Sequence, residues 1–176
     1  MKKILKIVPL LMTLCVFSFL LLFLISNKDP SVPPSPLLKK QIPEFETLDL
    51  FNEKTKINNN ALENKKVIIN FFASWCVPCK VEHPILMKIK RDHPDILLLG
   101  INHKDKKEDA INFILENGNP YDYIGMDNDG KISFDFGVYG LPETFVSNNK
   151  NIIIFKHVGP LTKKIYNDTI EKLLSN

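Results

Sequence analysis

Apolar positions along this chain change period several times, and each change marks an element. Ile7 to Ile25 carries no charged residue. At 1.5 Å per residue such a run makes a helix about 28 Å long, near the thickness of a bilayer's hydrocarbon core. Val67-Ile68-Ile69-Asn70-Phe71-Phe72-Ala73 is a run of strand length, as a central buried strand requires. Asp95 to Asn102 reads as a second central strand. Between them Val77, Val81, Ile85 and Ile89 recur every four residues and predict one apolar helix face, with Pro84 kinking the helix. Ile111, Ile114 and Leu115 predict a helix from Glu108 to Glu116.

Shorter signals complete the pattern. Ile42 to Leu50 alternates weakly and predicts an edge strand with Pro43 at its start. Asn58-Asn59-Asn60 predicts a turn before a short helix at Ala61-Leu62. Tyr121 to Ile124 predicts a short strand, and Lys131 to Phe136 a short helix stopped by Gly137. Thr144-Phe145-Val146 and Ile152-Ile153-Ile154-Phe155 flank Ser147 to Asn151, a hairpin signature. Ile165, Ile170, Leu173 and Leu174 predict a terminal helix from Thr162 to Leu174. The order β-α-β-α, short pieces, then β-β-α predicts an α/β fold, a mixed sheet with helices on both faces.

Length and charge narrow the classes. The chain has 176 residues, enough for one domain and an appendage. A net charge of +3 without a long basic block gives nucleic-acid binding no support. The short stretch Lys104 to Lys107 reads as a solvated loop or helix start. Lys2, Lys3 and Lys6 precede the apolar run and should stay cytoplasmic. The run is long for a cleavable signal, and Phe23-Leu24-Ile25-Ser26-Asn27-Lys28 is a poor cleavage site, so a retained anchor is expected. Pro30-Ser31-Val32-Pro33-Pro34-Ser35-Pro36 cannot form a helix and predicts a stiff extended spacer. The expected organisation is a cytoplasmic stub at 1–6, a transmembrane anchor at 7–25, a Pro-rich linker at 26–40 and a folded domain at 41–176.

The chemistry centres on Trp75-Cys76-Val77-Pro78-Cys79. A strand delivers two cysteines, two residues apart, to a helix N-terminus. Unpaired N–H groups and the helix dipole there favour a thiolate, which suits thiol–disulfide exchange. An inert stabilising disulfide is the rival reading, and a tight loop at a strand–helix junction argues against it. Pro78 fits a first helical turn, where its missing N–H costs nothing. Trp75 is expected beside the cysteines, shaping a contact surface or filling core. Cys15, alone in the apolar run, reads as a small apolar residue. One CxxC lacks the four ligands of a structural zinc site, and His83 is reachable from the cysteines without converging on them. Asp127-Asn128-Asp129-Gly130 resembles a calcium-loop fragment without its terminal Glu and reads as a turn.

Two further strings make the pattern specific. Pro84 follows Cys76 by eight residues, and Gly137-Val138-Tyr139-Gly140-Leu141-Pro142-Glu143-Thr144-Phe145 follows the second half of the fold. With Trp75 to Pro84, this string resembles the thiol:disulfide interchange proteins of cytochrome c maturation, the CcmG/DsbE type, within the thioredoxin-like superfamily. The resemblance covers residues 41 to 174, and the anchor in kind. It implies a thioredoxin-like fold, a central mixed sheet flanked by helices, with an N-terminal β extension and a single N-terminal transmembrane helix.

What the resemblance implies about roles follows residue by residue. Cys76 would be the nucleophile and Cys79 the resolving thiol, joined as a redox-active disulfide. Pro142 would be a cis-proline opposite them, and Leu141 would meet substrate with it. Thioredoxins bury an Asp six residues before the first cysteine; here Asn70 stands there and cannot accept a proton. Glu82 and Glu143 are the candidate acids for proton transfer, with solvated or hydrogen-bonded surface acids as the alternative. The implied partners are apocytochrome c, cytochrome c maturation proteins and a membrane thiol-electron donor. The implied location is a bacterial inner membrane, single-pass, with the catalytic domain in the periplasm. No small-molecule cofactor is implied, because the cysteines carry the electrons. Rival functions are a general periplasmic thioredoxin-like reductase and a copper-delivery module using Cys76, Cys79 and His83.

Overall fold

The computed structural model describes residues 2–25 and 36–175. They belong to two separate compact units, divided between Pro34 and Ser35. The first contains a single helix, α1 (Lys2–Ile25). Ile7–Leu24 is the one stretch among the described residues with the length and apolar composition to cross a membrane, and a signal sequence passes the same test. Most of the expected Pro-rich spacer lies outside the described residues.

The second unit is built on a five-stranded mixed sheet. Its strands are β3 (Val67–Phe72), β4 (Leu97–His103), β5 (Tyr123–Asp127), β6 (Glu143–Ser147) and β7 (Ile153–Val158). A smaller antiparallel pair, β1 (Glu46–Leu48) and β2 (Lys56–Asn58), precedes it. The main sheet runs in the order β5-β4-β3-β6-β7, so the apolar run at 67–72 is central as expected. β3 pairs parallel with β4 and antiparallel with β6. The connecting helices are α2 (Val77–Asp92), α3 (Lys107–Asn117) and α4 (Lys131–Asp135).

Strand alternation sends the two faces of the sheet into different cores. Ile68 and Phe72 pack with Leu86 and Ile89 of α2, Phe113 and Ile114 of α3, and Ile170 and Leu174 near the C-terminus. Val67, Ile69 and Phe71 pack with Phe45, Ile57, Leu62, Phe136 and Phe145 on the other side. Helices therefore cover both faces, with α4 alone among the numbered helices on the second.

Three expectations need adjustment. The edge strand expected within Ile42 to Leu50 is short: Glu46–Leu48 form β1, which pairs with β2 in the smaller sheet and meets β5 through the bridge Asp49–Gly125. The four-residue stripe on α2 is only half right. Ile85 and Ile89 are buried, but Val77 and Val81 are 70% and 68% exposed. The buried face instead follows Cys79, Glu82, His83, Leu86 and Ile89, spaced three and four apart. The expected terminal helix is present but not α-helical throughout: α5 (Lys163–Ile165) passes through a π turn at Tyr166–Ile170 into α6 (Glu171–Ser175). That turn buries Tyr166 beside Ile170.

Phe136 is a sensitive point of the second core. Its ring lies 5.1 Å from Phe71, 5.5 Å from Phe145 and 6.3 Å from Phe45, centroid to centroid. Phe136→Ala should cost about 3–5 kcal/mol, as large aromatic deletions do. Val81→Ser, on the exposed face of α2, should stay within about 0.5 kcal/mol. Urea unfolding midpoints of the two variants check the contrast.

Candidate active site

The site lies where β3 hands the chain to α2. Cys76 is the N-cap of α2, and its Sγ accepts the backbone N–H of Cys79 at 3.2 Å. Val77 and Pro78 form the first two positions of the helix, so the proline removes a donor that the helix does not use. Cys76 and Cys79 are joined by a disulfide, and both residues are almost fully buried. Trp75 is 58% exposed, which assigns it to surface rather than core. Its indole N–H donates to the Lys104 carbonyl at 3.1 Å. Ser74 is tied down beside it: Asp105 accepts from its backbone N–H at 2.5 Å and its hydroxyl at 2.8 Å. The β4–α3 connection thereby holds the turn that carries the cysteines.

The Leu141–Pro142 bond is cis. Pro142 is buried and leads into β6, next to β3. Leu141 is half-buried and packs against the cluster that contains Cys76 and Cys79.

The two candidate acids occupy opposite faces of the sheet. Asn70 pairs with Thr144 and Phe71 with Glu143 across β3 and β6. Directly paired residues share a face, so Glu143 points with Phe71 away from α2. Glu82 comes from α2 itself, one turn beyond Cys79, and is buried with it. Its Oε1 accepts from the Asn70 amide at 2.7 Å, and its Oε2 accepts from the Leu161 N–H at 2.8 Å. Burial is the dominant influence and pushes the Glu82 carboxyl up to about 7, while the Leu161 and Asn70 donors pull it down. Asn70 also donates to Thr144 Oγ1 at 3.1 Å and accepts from the Tyr121 hydroxyl at 2.8 Å. Burial raises the Tyr121 phenol, and the Glu82 charge adds to that rise.

Glu143 is bound differently. Its Oε1 accepts from the Tyr139 N–H at 2.8 Å, and its Oε2 lies 2.8 Å from Lys156 Nζ. His83 is turned away from a shared site with the cysteines. Its Nε2 lies 2.9 Å from the Gly118 carbonyl, and its ring meets Phe113 edge-on at 4.9 Å. Burial lowers the His83 pKa, so the neutral Nε2–H form donates that bond. Among the described residues no group of three His, Cys, Asp or Glu side chains could hold a metal ion. Asp127 belongs to a helix start: it accepts from the backbone N–H groups of Ile132 and Ser133 at 2.9 and 3.0 Å. Burial opposes its charge, but bonds from Ser133, Ile132 and His103 hold its carboxyl below the usual range.

Three members of this assembly escaped the sequence reading. Tyr121 carries no motif and is found only by its contact with Asn70. Leu161 contributes through backbone alone. Lys156 did leave a signal: a lysine inside the apolar strand of a hairpin whose other strand opens with Glu143.

The Redoxin family profile matches residues 38–174. The thiol:disulfide interchange protein HelX of Rhodobacter capsulatus is 37% identical over 153 residues, covering 87% of this chain and 86% of HelX. The thiol:disulfide interchange protein DsbE of Escherichia coli K12 is 34% identical over 177 residues, covering 98% and 95%. This chain belongs to the DsbE-type thiol:disulfide interchange proteins. Solved structures agree in fold. A DsbE-like protein from Chlorobium tepidum superposes with a TM-score of 0.67 at 20% identity, over 77% of this chain and 94% of that one. A secreted thiol-disulfide isomerase from Corynebacterium glutamicum gives 0.68 at 27% identity, over 77% and 86%. The thioredoxin-like architecture of the DsbE type is therefore present, and with it a Cys-Xaa-Xaa-Cys pair suited to thiol–disulfide exchange.

Glu82 makes stability depend on pH in a defined window. Its folded pKa of about 7 lies above the usual carboxyl value of 4.5, so the folded state binds the proton more tightly. Stability should fall as pH rises from 4.5 to 7 and flatten above, with a total on the order of 3 kcal/mol. Glu82→Gln should remove that slope. Urea unfolding of both proteins from pH 4 to 8 reads the effect, and parallel curves would refute it.

Proposed function

We propose that this protein reduces disulfides on the cytochrome c assembly path, working from a membrane anchor on the periplasmic side. The observation that carries the reading is the Cys76–Cys79 disulfide at the N-terminus of α2, on the same helix as the buried Glu82 and in the core cluster against which Leu141, the residue before cis-Pro142, packs. Membership of the DsbE type supplies the reaction class, and the apolar helix at 7–24 fits retention at the membrane.

In the reduced state Cys76 is the nucleophile. As N-cap it faces the N–H groups of the first turn, which stabilise its thiolate. The thiolate attacks one sulfur of a client disulfide; a mixed disulfide forms and the client's other sulfur leaves as a thiolate. Cys79 then attacks Cys76 Sγ, closing the protein's disulfide and releasing the second client thiol. Two electrons pass to the client, and two protons accompany them. Glu82 is the proton acceptor for Cys79. It shares the buried face of α2, and a carboxyl near 7 is matched to operation near neutrality. Asn70, in the strand position six residues before Cys76, orients Glu82 rather than replacing it. Leu141 and Pro142 receive the extended client peptide. The haem-attachment Cys-Xaa-Xaa-Cys-His segment of apocytochrome c is the client, reached directly or through an assembly partner, and a membrane thiol donor restores the dithiol.

Cys79→Ser should accumulate a mixed disulfide with an oxidised Cys-Xaa-Xaa-Cys-His peptide, whereas Cys76→Ser should form none. Non-reducing gels with mass spectrometry read the adduct. In cells, capture of many unrelated proteins instead of an apocytochrome or its assembly partner would favour a general reductase. Glu82→Gln should slow the resolving step by roughly 10²-fold near pH 7, the usual range for loss of a general base.

A further inference from the structure

Glu82 has two hydrogen-bond partners among the described residues, and they differ in kind. The Leu161 N–H, 2.8 Å from Oε2, is backbone and only donates. The Asn70 amide, 2.7 Å from Oε1, is a side chain with a donor on one arm and an acceptor on the other. A half-turn about its last torsion exchanges the two arms and moves no other heavy atom. The remaining partners of that amide are both hydroxyls. Thr144 Oγ1 accepts from Asn70 at 3.1 Å, and the Tyr121 hydroxyl donates to Asn70 Oδ1 at 2.8 Å. A hydroxyl donates or accepts by rotating its hydrogen.

All four side chains are buried, so a proton arriving on Glu82 needs an acceptor inside the protein. Leu161 cannot supply one. With the amide as it stands, Asn70 also presents N–H, so both carboxyl oxygens face donors. Turned over, the amide sets Asn70 Oδ1 towards Glu82 Oε1 and Thr144, and its N–H towards Tyr121. Three hydrogen bonds are exchanged for three others: Glu82 O–H to Asn70, Thr144 O–H to Asn70, and Asn70 N–H to Tyr121. The titratable neighbours keep their state meanwhile. Burial favours neutral His83 and protonated Tyr121, and Cys79 is tied in the disulfide.

We propose that Asn70 is a two-way positioning residue: its amide turns over when Glu82 takes a proton, and Tyr121 and Thr144 exchange donor and acceptor roles with it. The group that receives the Cys79 proton is thereby hydrogen-bonded in both of its forms, and neither form is stranded in a buried site. The inference rests on Glu82 serving Cys79 in disulfide reduction.

The test follows the oxidised full-length protein in detergent micelles by NMR. The Glu82 carboxyl carbon reports the proton, and nuclear Overhauser contacts of the Asn70 NH₂ group report the amide. From about pH 5 to 9, the strongest of those contacts should pass from the Tyr121 ring to the Thr144 side chain, with the same midpoint as the carboxyl titration. Glu82→Gln should hold it on Tyr121 throughout. In that variant the Leu161 N–H claims the Gln oxygen, so the Gln NH₂ faces Asn70 and demands its oxygen. A contact that stays with Thr144 while wild-type Glu82 titrates overturns the proposal, and so does one that still shifts with pH in a folded Glu82→Gln protein. Should the variant not fold, the wild-type titration decides alone. A reduced portion of the same protein, mixed with an oxidised Cys-Xaa-Xaa-Cys-His peptide, reads the parent activity. An inert protein strikes down the exchange role whatever the amide does, and an active one with a fixed amide loses the turnover alone.

Discussion

A hydrogen bond of 2.7 Å between the Asn70 amide and the Glu82 carboxylate holds the site together. Both side chains are buried, where an unpaired charge would cost several kcal/mol. The amide can serve the carboxylate only with its NH₂ group turned that way. Tyr121 enforces that orientation by donating its hydroxyl to the amide oxygen. Thr144 takes the second amide proton, and the Leu161 N–H closes the other carboxylate oxygen. One polar set thus joins β3, α2, β6, the segment before β5 and the segment before α5. The buried acid of this set stands on the helix, and the strand residue serves it as donor.

The sheet separates two kinds of acidic work by simple alternation. Residues 70 and 144 point to the α2 side, and residues 71 and 143 to the α4 side. Glu82 stays near the cysteines with only neutral donors around it, so burial controls its protonation. Glu143 accepts a backbone N–H at Oε1 and faces the Lys156 ammonium at Oε2, where no hydrogen bond forms. Two glutamates that look equivalent as motif neighbours therefore sit in unlike surroundings, because adjacent strand positions face opposite cores.

Much of this was legible beforehand because local signals were strong. The run at 67–73 had to be central, since no polar face interrupts it. Trp75 to Cys79 and the nine residues from Gly137 to Phe145 located the two loops of the site. The failures share a cause. The buried face of α2 includes Glu82 and His83, which a hydrophobic periodicity cannot count, so Val77 and Val81 were drawn into a stripe that the fold exposes. Tyr121 and Leu161 enter through contacts 51 and 79 residues apart in sequence, beyond any local pattern. The π turn in the terminal helix, which carries the buried Tyr166 and Ile170, leaves no mark in the spacing of apolar residues.

The β1–β2 hairpin closes the outer rail of β5. Thr47 donates to the Met126 carbonyl at 2.6 Å, and the Leu50 N–H donates to the Ile124 carbonyl at 2.8 Å. The fit admits nothing larger than glycine at 125, where a methyl carbon would come within 2.3 Å of Thr47. Along that flank the backbone has partners of its own and offers no ladder for a neighbouring chain to climb. The domain is thereby guarded at this edge against being zipped into a passing strand.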